Sequence, residues 1–168
     1  RNPQAPKSLL PQFPAPQADA INIGMMHTSL EGSDDHNPYA PCRLSELQMS
    51  GHDYWALGHI HKQFIHQSAN CTVVMPGMPQ GRDIGEAGVK NVTLVNIDDD
   101  RHITLEPRAV NIAQFEKITV SLDAQTEWEA AVETIVHRLR QDRKACRADH
   151  LVVRLVLQGK TPLSWKLR

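Results

Sequence analysis

The stretch Asp53-Tyr54-Trp55-Ala56-Leu57-Gly58-His59-Ile60-His61 decides how this chain is expected to fold. A short apolar run that ends at a glycine is typical of a buried strand. In extended backbone, residues i and i+2 point to the same side, so the imidazoles of His59 and His61 are expected to face one way. Two neutral imidazoles at a strand end form half of a metal-binding site. In the alternative interpretation, one histidine caps a loop and the other is solvated.

The composition is that of a globular protein, with 168 residues of which 40% are hydrophobic and 22% are charged. A formal net charge of -1 argues against a strong whole-surface field for nucleic acid, although it allows a local basic patch. Cys42, Cys71 and Cys146 form no Cys-x-x-Cys pair, which favours reduced thiols in a cytoplasmic protein over a disulfide framework or a zinc ribbon. No apolar run approaches the length of a membrane span, and no signal peptide is recognisable.

The first part of the chain predicts short strands, one short helix and polar loops. Residues 1–19 contain five prolines, which argue against a helix or a central strand and predict a linker or a surface crossing. The run 20–27 predicts a second buried strand, and 28–41 predict a polar loop. The remaining expected elements are a helix at 43–50 that ends at Gly51, strands at 53–57 and 72–75, and a hairpin of 89–97 and 103–108 across a solvated acidic turn at 98–100.

From Phe115 the pattern changes to strand, helix and strand. Residues 115–122 and 151–157 alternate between apolar and polar, as strands do. Residues 125–146 carry apolar side chains at helical spacing, and both Trp128 and Trp55 are expected in the core. We therefore predict a small α/β module at 113–168, separate from a domain at 20–112.

Three histidines lie at the ends of predicted strands. His27 ends the strand at 20–27, and His59 and His61 follow the strand at 53–57. If these strands are neighbours in one sheet, the imidazoles meet at its carboxyl edge, where open α/β sheets bind ligands. Three imidazoles suit a transition metal better than magnesium. The other histidines are expected to be surface or loop residues: His36, His52, His66, His102, His137 and His150.

Four segments carry a family resemblance: Gly24-Met25-Met26-His27-Thr28-Ser29-Leu30-Glu31-Gly32, Tyr39-Ala40-Pro41-Cys42, residues 51–61, and residues 79–90. They resemble the calcineurin-like metallophosphoesterases, and among them the SbcD-type DNA repair exonucleases of the bacterial YhaO-like branch. The resemblance covers most of residues 21–97, and the part from Phe115 resembles the capping domain more loosely. It implies part of a β-sandwich with helices, followed by an α/β capping module that positions DNA.

The resemblance also implies chemistry for named residues. Two divalent metal ions, typically manganese, would bridge the phosphodiester and activate a water for attack. His27 and His59 would bind one ion and His61 the other. Arg82 would contact phosphate, or would be a structural loop arginine, while Glu86 and Lys90 would be structural.

The departures from the family pattern are as informative as the match. The Asp-x-His motif with which these enzymes begin does not precede the segment 24–32, and the Gly-Asp-x-x-Asp and Gly-Asn-His motifs are absent. We therefore expect a C-terminal portion of a longer nuclease, with no catalytic residue in this chain and little or no activity alone.

The resemblance further implies DNA and an SMC-type ATPase subunit as partners, a role in DNA repair and a cytoplasmic location, and it leaves a homodimer open. Two alternatives remain: a phosphodiesterase that acts on a small nucleotide, and a non-catalytic fragment that binds a partner or DNA. The sheet edge near residues 20–27 is expected to be exposed and to invite association.

Overall fold

A computed structural model describes residues 7–31 and 38–166. The start of the predicted linker (1–6), the middle of the predicted loop with His36 (32–37) and the last two residues of the predicted module lie outside the described residues. The strands are β1 (Ile23–His27), β2 (Tyr54–Gly58), β3 (Phe64–Gln67), β4 (Thr72–Met75), β5 (Asn91–Ile97), β6 (Ile103–Ala109), β7 (Ala113–Ser121) and β8 (His150–Gln158). The helices are α1 (Leu44–Met49) and α2 (Trp128–Ala145), with 3-10 turns at Leu10–Gln12, Ile84–Glu86 and Pro162–Lys166. The predicted α/β class is confirmed.

The chain divides into two compact units. The first contains the described residues up to Pro79 together with Asn91–Ala109, and the second contains Gln80–Lys90 and the residues from Val110 onward. The predicted division into 20–112 and 113–168 stays a prediction. None of the described helices has the length and apolar character needed to cross a membrane.

The first unit is organised around a four-stranded sheet in the order β1-β2-β4-β3. β1, β2 and β4 run parallel, while β3 pairs antiparallel with β4. One face of this sheet packs on α1, where Leu47, Trp55, Val73 and Met75 are almost completely buried. The predicted helix ends as expected, because Gly51 follows it with φ of 80°, a conformation that glycine adopts without a steric cost.

The prediction of a fully buried first strand was wrong, because β1 lies at an edge of the sheet. Met26 is buried on the core face, but Ile23 and Met25 are exposed, Met25 by 75%. The expected exposed edge near residues 20–27 is thus present. β3 was not predicted, because four residues with mixed polarity give too short a pattern to recognise.

The proline-rich segment is part of the first unit rather than a simple surface crossing. Phe13 packs with its ring centroid 4.9 Å from that of Trp55, and Leu9 and Leu10 also contact the core cluster. A 3-10 turn forms at Leu10–Gln12, which corrects the expectation that this stretch contains no helix. A proline is tolerated in the first turn of a helix, since its missing N–H would have no partner there.

The predicted hairpin is confirmed, with β5 and β6 paired from Ile97–Ile103 to Asn91–Ala109. Its acidic turn is exposed, as expected. The carboxylate of Asp98 accepts hydrogen bonds from the backbone N–H groups of Asp100 (3.0 Å) and His102 (2.8 Å). These bonds tie the turn to its own backbone.

The second unit is built on a parallel pair of strands, β7 and β8, joined through α2. Ile118, Val120 and Leu122 of the strand region and Ala131 of the helix form its core, together with Leu163. The predicted strands and helix are confirmed within a few residues. Trp128, predicted in the core, is 37% exposed, because the helix buries the neighbouring row of side chains instead.

Candidate metal-binding site

His27 and His59 meet at the carboxyl edge of the sheet in the first unit. β1 and β2 are parallel neighbours, and their register sets His27 opposite Gly58, one residue before His59. The Nε2 atom of His27 lies 3.2 Å from Nδ1 of His59, and the ring centroids are 5.0 Å apart. The sequence prediction that these two strand ends converge is therefore confirmed for this pair.

The backbone of His59 differs from the extended conformation that the sequence pattern suggested. β2 ends at Gly58, and His59 has φ of 108°, so the argument that residues i and i+2 face one way does not apply to His59 and His61. A positive φ is costly for a residue with a Cβ atom and is found in turns and at functional sites. Ala40, Arg101 and Ala124 of this chain also have positive φ. The absence of a side chain at Gly58 matters too, because a Cβ there would lie 3.2 Å from Nδ1 of His27.

Tyr39 is the residue of this site that sequence reasoning missed. Its ring centroid lies 5.5 Å from that of His27 and 5.6 Å from that of His59, so three rings form one cluster. Its backbone is fixed by Ser29, whose N–H donates to the Tyr39 carbonyl (2.8 Å) and whose Oγ accepts from the Tyr39 N–H (3.0 Å). The sequence offered one signal for Tyr39, which was its place in the segment 39–42 that carries the family resemblance. That segment has no periodic apolar pattern, so it gave Tyr39 no predicted position.

The loop after β1 is held by a buried threonine. The hydroxyl of Thr28 donates to the carbonyl of Ala40 at 2.7 Å and lies 3.4 Å from Sγ of Cys42. Its backbone N–H donates to the carbonyl of Gly58 at 3.1 Å, which links the ends of β1 and β2. Burial raises the pKa of the Cys42 thiol, so this cysteine stays neutral and serves as a packing residue.

The donor pair fits one half of a divalent metal site. Two nitrogen ligands of a tetrahedral ion with metal–nitrogen bonds of about 2.0–2.1 Å lie about 3.3 Å apart. The 3.2 Å between the two imidazole nitrogens is close to that separation. Among residues 7–31 and 38–166, however, no group of three or more His, Cys, Asp or Glu side chains could hold an ion. His27 and His59 thus offer two imidazole nitrogens at a spacing that a metal ion accepts. The metal roles of His27, His59 and His61 all stay predictions.

Arg82, the predicted phosphate contact, is bound to Glu86 in the second unit. Its Nη2 lies 2.9 Å from Oε1 of Glu86, and its backbone N–H donates to Oε2 at 2.8 Å. Glu86 raises the pKa of the Arg82 guanidinium, chiefly through this hydrogen bond. Glu86 has the structural role that the sequence suggested, whereas the contact of Arg82 with phosphate stays a prediction.

An open cleft of about 610 Å³ borders the half-site in the first unit. His27 and Gly58 line it at the strand ends, together with Met25, Gly77 and Thr93. A substrate group that reaches His27 could therefore approach from this side without displacing the core.

Two comparisons with known proteins show what the chain is similar to. Residues 115–168 match the family model described as the middle domain of the metallophosphoesterase YhaO. The chain is also 36% identical, over 147 residues, to the uncharacterized metallophosphoesterase YhaO of Bacillus subtilis (strain 168). That similarity covers 88% of this chain and 35% of the relative, so the chain spans about a third of the relative's length. Together, the two similarities support a metallophosphoesterase family for this chain.

Proposed function

We propose that the chain supplies part of the active site of a metal-dependent DNA repair exonuclease that hydrolyses phosphodiester bonds. The similarity to a metallophosphoesterase supports phosphoesterase activity. DNA as the substrate, repair as the process and manganese as the metal go further, and rest on the motif resemblance in residues 21–97. The remaining ligands would come from the Asp-x-His motif that opens the family's domain and from the Gly-Asp-x-x-Asp and Gly-Asn-His motifs, none of which precedes residue 24 in this chain.

The observation that carries the proposal is the approach of His27 Nε2 to His59 Nδ1 at 3.2 Å. Both nitrogens must be free of a proton to bind a metal ion, so metal binding here is coupled to the release of protons. When bound, divalent ions in such sites stabilise the charge that develops on the phosphoryl oxygens and generate a hydroxide nucleophile. The histidines of this chain would hold and orient one ion and take no proton from the substrate.

An SMC-type ATPase subunit and duplex DNA are the partners that the resemblance implies, and we propose both for the complete nuclease. DNA binding should weaken steeply with salt, because phosphate contacts release counterions.

A metal titration tests the half-site directly. The purified chain, freed of metal with a chelator, would be titrated with Mn²⁺ and with Co²⁺ by calorimetry and absorbance spectroscopy. We expect weak binding that His27→Ala and His59→Ala each abolish. His102→Ala is the matched control, since His102 is an exposed histidine in the hairpin turn. Binding that survives both site variants would contradict the proposal.

A nuclease assay tests the activity. We expect no Mn²⁺-dependent cleavage of duplex DNA by the chain alone, and cleavage when a polypeptide with the three missing motifs is added. His59→Ala should abolish that cleavage and His102→Ala should not. Cleavage confined to a small cyclic or model diester would favour the small-nucleotide alternative. Salt-sensitive DNA binding without hydrolysis in the complemented mixture would favour the non-catalytic alternative.

A further inference from the structure

Tyr39 lies against both histidines of the candidate site, although it comes from a loop. Its ring meets that of His27 edge-on, with centroids 5.5 Å apart and an interplanar angle of 77°. It is tilted by 31° against the ring of His59, with centroids 5.6 Å apart. The two imidazole rings are themselves 5.0 Å apart at an angle of 74°. Aromatic rings pack favourably at centroid distances of about 4.5–7 Å in edge-to-face and offset geometries, so each ring supports the other two.

The backbone around Tyr39 is fixed more firmly than an exposed loop residue requires. Ser29 donates its N–H to the carbonyl of Tyr39 and accepts the Tyr39 N–H on its hydroxyl. The hydroxyl of Thr28 donates to the carbonyl of Ala40, the next residue along the chain. Ala40 is fully buried and has φ of 43°, a conformation that is costly for a residue with a Cβ atom. The loop therefore tolerates strain in order to hold Tyr39 in one place.

Packing on the hydrophobic core does not explain the position of Tyr39. Its side chain is 39% exposed, so it gains only part of the burial that a core tyrosine would gain. In the part of the chain that the structure describes, other partly buried side chains complete the core cluster of the first unit: Leu9, Leu10, Phe13, Leu30 and Leu44. The contacts of the Tyr39 ring with the two imidazoles are therefore the feature that needs a reason.

We propose that Tyr39 is a positioning residue, whose ring holds the imidazoles of His27 and His59 at the spacing that one divalent metal ion requires. This inference rests on the proposed metal role of the two histidines. Pairing of β1 with β2 places their Cα atoms near each other, but it does not by itself set their side-chain rotamers. A ring that contacts both imidazoles sets them before an ion arrives. Such preorganisation raises affinity, because less ordering remains to be done on binding.

The contacts on which the proposal stands are made by the ring of Tyr39 and not by its hydroxyl. Tyr39→Phe keeps the ring, whereas Tyr39→Leu keeps an apolar side chain but has no aromatic face or edge to pack on an imidazole. The two variants therefore separate positioning by the ring from simple coverage of apolar surface. Phe64→Leu on β3 is the matched control, because Phe64 is an aromatic residue of the first unit with nearly the same exposure, 37%.

Two measurements on the purified chain test the proposal, and one of them needs no metal. In the metal-free chain, nuclear Overhauser cross-peaks between the ring protons of His27 and His59 report how close the imidazoles are. Absorbance titration with Co²⁺ reports affinity and ligand geometry. We expect Tyr39→Leu to weaken the cross-peaks and to lower the Co²⁺ affinity about three- to ten-fold, as for the loss of an aromatic contact. Tyr39→Phe should restore both, and Phe64→Leu should change neither. Near-ultraviolet circular dichroism checks that each variant keeps its packing.

Wild-type cross-peaks and affinity in Tyr39→Leu overturn the proposal. A loss in Tyr39→Phe that equals the loss in Tyr39→Leu overturns it too, because the hydroxyl then acts instead of the ring. An equal loss in Phe64→Leu overturns it as well, since the effect is then not specific to the site. A wild-type chain that binds no Co²⁺ contradicts the proposed metal role, whereas cross-peaks that depend on the Tyr39 ring still support positioning. The two failures are thus distinguishable.

Discussion

The backbone of His59 allows a prediction about stability that separates backbone strain from the loss of the imidazole. The sign of the stability difference between two variants decides it. His59→Gly and His59→Ala both remove the imidazole, so they differ only by the Cβ atom at a residue with φ of 108°. A Cβ at positive φ costs about 1–3 kcal/mol. Glycine in turn loses about 0.5–1 kcal/mol relative to alanine, through the entropy of the unfolded chain. We therefore expect His59→Gly to have a free energy of unfolding about 1 kcal/mol larger than that of His59→Ala.

Urea denaturation monitored by fluorescence measures this difference. A background of Trp128→Phe and Trp165→Phe leaves Trp55 as the reporter, and Trp55 is fully buried in the first unit. The same pair of substitutions at His66, in β3, is the matched control. There the extended backbone favours alanine over glycine by about 0.5–1 kcal/mol, so the sign reverses. If His59→Ala is as stable as His59→Gly, the strain argument is wrong.

Three further predictions concern packing and pH. Gly24→Ala should destabilise the first unit by about 2–3 kcal/mol in urea denaturation, because the added Cβ atom would overlap the buried ring of Trp55. The distance from that Cβ to Cη2 of Trp55 would be 2.7 Å. A loss of stability below about 0.5 kcal/mol would contradict this prediction. Phe13→Ala should cost about 1–2 kcal/mol, as half of a buried phenylalanine, and should shift the Trp55 emission, whereas Phe64→Ala on the exposed β3 should leave that emission unchanged. The pKa of Asp123 is lowered, first by the hydrogen bond from the backbone N–H of Lys160 and then by that from the Ser121 hydroxyl. The stabilising effect of the Asp123 carboxylate is therefore present above the ordinary aspartate pKa and disappears as the pH falls through the lowered pKa. The stability difference between the wild type and Asp123→Asn, followed by thermal denaturation, should therefore vanish at low pH, and a constant difference from pH 7 to 2 would refute the assignment.

The elements that the sequence predicted well are those with a long pattern of their own. α2 and β8 keep their apolar period over 18 and 9 residues, and the β5–β6 hairpin encloses an acidic turn. β3 has four residues and no such pattern, so it becomes a strand only through its pairing with β4. Sequence reasoning can recognise an element from its own periodicity, but not one that its neighbour creates.

Exposure was predicted less well than secondary structure. Met25 and Trp128 were both expected to be buried, and both lie on apolar runs. An apolar pattern shows which residues favour burial, whereas the position of an element in its sheet or layer decides which face is covered. β1 is an edge strand and α2 covers the core with a different row, so each leaves one apolar row outside.

The convergence of His27 and His59 was predicted for a reason that proved partly wrong. The convergence of His27 and His59 follows from the parallel register of β1 and β2, which sequence reasoning anticipated.

The orientation of His59 follows from a strained residue after the strand, which an alternating pattern would never indicate. Such strain persists only where the surroundings over-determine the conformation. Here the contact with Tyr39 and the close passage of Gly77, where a Cβ would lie 2.9 Å from the carbonyl oxygen of His61, fix both sides of the turn. A backbone conformation that violates local preferences and is held by its neighbours is expected at functional sites, because folding alone would favour an unstrained conformation. The strain at His59 therefore marks this turn as a candidate functional site on grounds that do not depend on the family motifs.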